Sequence, residues 1–168
     1  MEHLIAFGIG IVYGHVVEYI AHKHLLHRYR KRNEPFSFHF AKHHGESRRN
    51  LMVDNVSITN FNPMKNRDLL MVLIVLVLNL PFLFYFPAFY AACVFSAIQY
   101  YYLHRKAHHD ISWGKLNLPW HYDHHMGPNQ DVNWGVRSDI LDRILGTREK
   151  YYGTIKEVID NSKRMRFK

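Results

Sequence analysis

Eleven of the fourteen histidines lie in four spaced clusters. His22 and His27 form the first, His39, His43 and His44 the second, His104, His108 and His109 the third, and His121, His124 and His125 the fourth. Neutral imidazole is the commonest nitrogen ligand for iron, zinc and copper. So many protonatable rings gathered in one site need an electropositive partner, and the number exceeds the roughly four ligands of a structural zinc. The pattern points to two metal ions with higher coordination. The single cysteine, Cys93, rules out an intramolecular disulfide and a thiolate-rich cluster, which leaves a nitrogen site with carboxylate or water as additions.

The spacing sets what the local backbone must do. His104 with His108, His121 with His125, and His39 with His43 are each four apart, which places each pair on one face of a helix. His44 and His124 add neighbours turned away from those faces, so adjacent pairs can serve two ions side by side. His22 and His27, five apart, fit one face less well. Carboxylates are scarce near the clusters. Glu18, one turn before His22, together with Asp110 and Asp123, which sit inside clusters, are expected to accept the outer N–H of ligand rings and fix their tautomers.

The elements that carry these clusters read as membrane helices. Leu69 to Leu103 is apolar almost without interruption, too long for one crossing at about 20 residues. Pro81 and Pro87 near its middle mark a hairpin turn. The first segment, LIAFGIGIVYGHVVEYIAHKHLLH, begins as a membrane helix with Gly8, Gly10 and Gly14 suited to close packing, and ends on ligands, unlike a cleavable leader. The expectation is an all-α, small helical integral membrane protein with about three transmembrane helices and a cytosolic histidine-rich helical cap. It reads as one domain over residues 1–168, with spans near 4–25, 67–85 and 87–108 and a cap formed by 28–66 and 109–168.

The formal charge is +8, yet no Lys or Arg occurs before Lys23 or between Leu69 and His104. Basic residues massed on one side of apolar spans follow the positive-inside pattern. They are expected to meet anionic headgroups rather than nucleic acid, for which no binding motif is present. With an odd number of spans, the C-terminus and all four clusters share the cytosolic face. The assignment of spans uses no histidine, so their convergence on one face is an independent check.

The order H-x4-H, H-x3-HH, H-x3-HH and H-x2-HH resembles the fatty acid hydroxylase and sterol desaturase superfamily. The run His124 to Thr147, HHMGPNQDVNWGVRSDILDRILGT, strengthens it, with Asn133, Trp134 and Gly135 followed by Asp142, Arg143, Gly146 and Thr147. The resemblance covers about His15 to Thr147. It implies an integral-membrane, di-iron, O2-dependent hydroxylase of a lipid C–H bond, the lipid being fatty acyl, sterol or isoprenoid. It implies His22, His27, His39, His43, His44, His104, His108, His121, His124 and His125 as ligands of two irons. His109 is an optional eleventh, because the family varies there. Asn133 would support the site from outside the ligand set, and Asp142 with Arg143 would hold the tail.

Within these residues there is no fused cytochrome b5 domain, so electrons are expected from an external donor such as cytochrome b5 or a ferredoxin with its reductase. Tyr100, Tyr101, Tyr102 and Trp120 are read as lining a substrate cavity or an interfacial belt. A desaturase would use the same di-iron site. A non-enzymatic membrane metal-binding protein would spread its ligands across the bilayer, whereas the far side here holds only His3 and His15. Zinc in a purified sample would not identify the native metal, since zinc outcompetes ferrous iron for such ligands.

Overall fold

A computed structural model describes residues 1–31, 37–54 and 62–166. Parts of the expected cap segment 28–66 therefore lie outside the described residues. Every regular element among the described residues is helical. Helix α1 (Glu2–Ala21) runs on into a π-helical turn, His22–Leu26. A second π-helical stretch, Phe38–His44, leads into α2 (Gly45–Arg49). Then come α3 (Arg67–Leu78), α4 (Pro81–Tyr85), α5 (Pro87–His109), α6 (Ile111–Asn117), α7 (Pro119–Met126), α8 (Ile140–Ile144) and α9 (Ile155–Arg166).

Polar residues and prolines punctuate these helices. Asn66 caps α3 by accepting from the Leu69 N–H, and Asp110 caps α6 through the Trp113 N–H. Pro81, Pro87 and Pro119 open α4, α5 and α7, where a missing N–H is tolerated. The side-chain amide of Asn79 donates back to the Val75 carbonyl at 2.8 Å and closes α3. The apolar stretch expected as one span over 67–85 is thus two helices. At 12 residues, α3 rises about 18 Å, short of a hydrocarbon core of about 30 Å.

Helices α1 and α5 run side by side in the same direction. A Cβ on Gly10 would lie 2.7 Å from the Ala92 Cβ and 2.8 Å from the Phe89 carbonyl, and one on Gly14 would lie 2.6 Å from the Ser96 hydroxyl. The contact steps by four residues on both helices, so both climb toward the histidines together. Helix α3 runs the opposite way: Asn66 donates to the Tyr101 hydroxyl at one end, and the Tyr90 hydroxyl donates to the Leu76 carbonyl at the other.

Among the described residues one helix, Glu2–Leu26, is long and apolar enough to cross a membrane. Only 11 % of its apolar window is buried, so it is not the core helix of a water-soluble fold. Helix α5 has the length, at 23 residues, but its tyrosines and its closing run of His104, Arg105, Lys106, His108 and His109 lower its apolarity. Exposed apolar side chains continue nonetheless from α1 (Leu4, Ile9, Val12) onto α3 and α4 (Val77, Leu78, Phe84).

Because Gly10 sits against backbone, Gly10→Ala should push α1 off α5 and lower stability by about 1–3 kcal/mol. Gly8, where an added Cβ would meet nothing within 4 Å, is the matched control. Thermal unfolding in detergent should show a lower midpoint for G10A and an equal or slightly higher one for G8A, since alanine favours an unhindered helix over glycine.

Candidate metal centre

The two π-helical stretches explain the first two clusters. In the first, the His27 N–H donates to the His22 carbonyl, the i→i+5 bond of a π turn. Widening the helix brings residues five apart onto nearly one face. His22 with His27 and His39 with His44 therefore pair up, and His124 joins them from α7. Their side-chain nitrogens form one group whose ligand atoms all lie within 4.8 Å of one another. His43, His104, His108 and His125 form a second such group. There α5 and α7 use ordinary helical spacing, and His121 sits alongside with its Nε2 3.1 Å from that of His108. The groups adjoin: the rings of His44 and His125 stack at 4.1 Å, and His39 and His43 lie 5.0 Å apart.

All ten of these rings are buried, none more than 3 % exposed. Their tautomers follow from what the outer nitrogen meets. The Nδ1 of His22, His108 and His124 faces the carbonyls of Trp134, Met52 and Val132 at 2.6, 2.6 and 2.7 Å, so each carries the proton there. His43 and His39 face the carboxylates of Asp54 and Asp68 at 2.5 and 3.4 Å. That leaves bare lone pairs on the Nε2 atoms pointing inward. His22 and His39 set two of them 3.0 Å apart, a contact with no proton to share. The Nε2 of His124 also lies 3.1 and 3.2 Å from the Nε2 atoms of His27 and His44.

Extra protonation does not relieve these contacts. Burial first, then the neighbouring imidazoles, hold His39, His44 and His125 well below their ordinary range, and burial does the same to His121 and His124. His43 differs. Burial pulls it down, but its hydrogen bond to Asp54 and the charges of Asp68 and Asp54 outweigh that and raise it.

A cation at the centre of each group fits what is present. Nitrogens about 2.1 Å from one ion and at right angles stand about 3.0 Å apart, while tetrahedral ligands stand about 3.4 Å apart. The observed 3.0 to 3.2 Å, with five donors in the first group, matches a shell larger than tetrahedral. In the second group the Nε2 atoms of His43, His104 and His125 are buried with no hydrogen-bond partner, as ligand atoms are without their ion.

The residues expected to support the rings are arranged differently. His109 is exposed at the end of α5 and belongs to neither group, because its helical position turns it away from His104 and His108. Asp110 is the exposed cap of α6 and meets the Trp113 N–H, not an imidazole. Asp123 is buried but accepts from the Tyr152 N–H and pairs with Arg148 at 2.8 Å. Glu18 accepts from the Val136 and Arg137 N–H groups and the Arg137 Nε. The carboxylates that do reach rings are Asp54 and Asp68, far from any cluster in sequence and without a local signal.

Asn133 acts one step removed. Its side chain ties to Glu149 and Arg148, and its backbone sits at φ +59°, a left-handed conformation that asparagine tolerates. The carbonyls on either side of it, of Val132 and Trp134, are the ones that receive His124 and His22. Asp142 pins the same loop through the N–H groups of Trp134 and Gly135 and the Thr147 hydroxyl. Arg143, exposed, pairs with Asp139.

Below the histidines a cleft opens between α1, α3 and α5. Val17, Met71, Val72 and Val75 make it apolar, and His22, Asp68 and Tyr100 close its upper end. The Tyr100 ring stacks on His104 at 5.6 Å. Of the aromatic residues expected at a cavity, Tyr100 lines it. Tyr101 accepts from Asn66, Tyr102 is exposed, and the Trp120 indole donates to the Val136 carbonyl.

Apolar helices thus carry at one end two adjoining groups of buried histidines that could hold metal ions. The fatty acid hydroxylase family matches over residues 7–147, and the chain belongs to that family. No curated protein and no solved structure matches it.

Removing the acceptor of a ligand's outer N–H typically weakens metal binding about 10- to 100-fold. Asp54→Ala and Asp68→Ala should do so in equilibrium competition with a chelator. Asp110→Ala, for all that it lies beside His109, should leave retention unchanged.

Proposed function

We propose that this protein is a membrane oxygenase that uses O2 and external electrons to hydroxylate a C–H bond of a lipid, with two irons held by the ten buried histidines. His22, His27, His39, His44 and His124 hold one iron, and His43, His104, His108, His121 and His125 the other. The observation that carries this reading is the junction of the two imidazole nests with the head of an apolar cleft. Bound there, the irons supply reductive activation of O2: one oxygen atom enters the C–H bond and the other leaves as water, with two electrons and two protons from outside.

The chain's own residues supply position and dryness. The cleft walls align an apolar chain with its reacting carbon near His22 and Tyr100. Burial of the rings keeps bulk water from the reacting centre, where it would divert the oxidant. The carbonyls of Met52, Val132 and Trp134 and the carboxylates of Asp54 and Asp68 hold the rings in the tautomer that leaves Nε2 free.

In this proposal α1, the α3–α4 pair and α5 are all embedded, with the basic cap and C-terminus on the cytosolic side. The exposed apolar side chains on α1, α3 and α4 support that placement. The basic cap suits anionic headgroups and an acidic electron donor, cytochrome b5 or ferredoxin in type.

The test is metal analysis and spectroscopy of detergent-purified protein expressed with ample iron. Close to two irons per chain, magnetically coupled and reoxidised by O2 after reduction, is the expected result. A single redox-silent zinc that iron cannot replace would overturn the proposal. His108→Ala should lose an iron and turnover together while the fold survives by circular dichroism, and His109→Ala should keep both. Product analysis by mass spectrometry separates hydroxylation from desaturation.

A further inference from the structure

The cleft is mostly apolar, its polar pair Tyr13 and Asn79 satisfies itself by a 2.9 Å hydrogen bond, and a second polar station with unused hydrogen-bonding capacity lies partway down. Ser96 on α5 is 4 % exposed, lines the cleft, and its hydroxyl has no hydrogen-bond partner among the described residues. Arg137 reaches the same place from the tail loop. Its Nε is engaged by Glu18 at 2.5 Å and its Nη1 by Gln99 at 3.5 Å, while its Nη2 makes no hydrogen bond among the described residues. The two groups converge on Gly14: a Cβ there would lie 2.6 Å from the Ser96 Oγ and 3.2 Å from the Arg137 Nη2.

Resting on the lipid-oxygenase reading above, we infer that Ser96 and Arg137 form a recognition site for an uncharged oxygen, a carbonyl or hydroxyl, borne by the apolar substrate. Both groups offer protons, so the ligand atom must accept. Charge decides against an anionic head. The guanidinium is already paired with Glu18, and Asp68 also lines the cleft, so two carboxylates stand against one cation. A buried hydroxyl with no partner is unfavourable by itself, and a substrate oxygen gives it one.

The station is also well separated from the chemistry. Ser96 is eight residues before His104, and Gly14 eight before His22, which is about 12 Å of helix rise in each case. The group recognised is therefore distinct from the group that reacts. An oxygenated chain docked here would present a remote C–H bond to the histidines. A plain hydrocarbon would slide without register.

Binding to zinc-loaded, turnover-silent protein in detergent tests this without relying on catalysis. The probes are hexadecane, 2-hexadecanone, 1-hexadecanol and palmitate, each displacing a fluorescent apolar reporter. The ketone and the alcohol should bind several-fold more tightly than hexadecane and palmitate. Ser96→Ala should weaken ketone binding about fivefold, the worth of one hydrogen bond, and leave hexadecane unchanged. Ser96→Thr, which keeps the hydroxyl, should retain the preference and so separate lost donation from lost packing. Equal binding of ketone and hexadecane by the wild type, an unchanged preference in S96A, or palmitate as the tightest ligand would each overturn the inference while leaving the lipid reading intact. If none of the four chains displaces the reporter, the cleft is not a lipid site and the lipid-oxygenase reading falls as well.

Discussion

Lone pairs of neutral imidazoles repel when brought to 3 Å, and this chain brings those of His22 and His39 that close in a buried interior crowded with further imidazoles. Protonating the rings would replace that repulsion with buried positive charge, which is worse in a low dielectric. A metal ion would resolve both problems, and the rest of the structure is arranged as the aiming of these nitrogens at one would require. Each ring must be turned so that Nε2 faces inward, and each outer N–H that can be satisfied must be. Three backbone carbonyls and two aspartates meet that demand for five of the ten rings.

The backbone bends to supply those carbonyls. Met52 and Asn133, at φ +86° and +59°, are two of the three non-glycine residues with positive φ among the described residues. Met52 gives its own carbonyl to His108, and Asn133 lies between the carbonyls given to His124 and His22. Strained or uncommon backbone concentrated beside a site is a sign that the surroundings hold it there. Here the holding is visible. Asp142, Glu18 and the Asn133 side chain fasten the loop 132–137 from three directions. The two π-helical turns serve the same end by placing histidines five apart on one face.

The apolar helices divide the remaining tasks. Their outer faces expose Leu, Ile, Val and Phe, their inner faces enclose the cleft, and glycines on α1 let α5 approach closely enough to close it. The ion pair of Glu18 and Arg137 belongs to both halves, since it anchors the tail loop that orients His22 and borders the cleft where Ser96 lies. A substrate oxygen at that point would be linked through a single residue, Arg137, to the loop that aims the metal ligands.

The sequence by itself determined the histidine clusters, the helical class and the family, because ligand type, local spacing and apolar run length are properties of short segments. It also showed that the clusters share one end of the helices. The tertiary structure alone decided how nine of the ten buried histidines divide into two groups. Adjacent residues such as His43 and His44, or His124 and His125, go to different groups, and residues as distant as His27 and His124 go to the same one. Which ring nitrogen is free was likewise invisible, since it depends on acceptors such as Asp54, Asp68 and the Trp134 carbonyl, brought in from remote segments. Glu18 and Asp123 looked like supports for the rings because they are near them in sequence. In the fold they bind the tail instead, because a helix turns neighbouring side chains in different directions and only packing settles what each one meets.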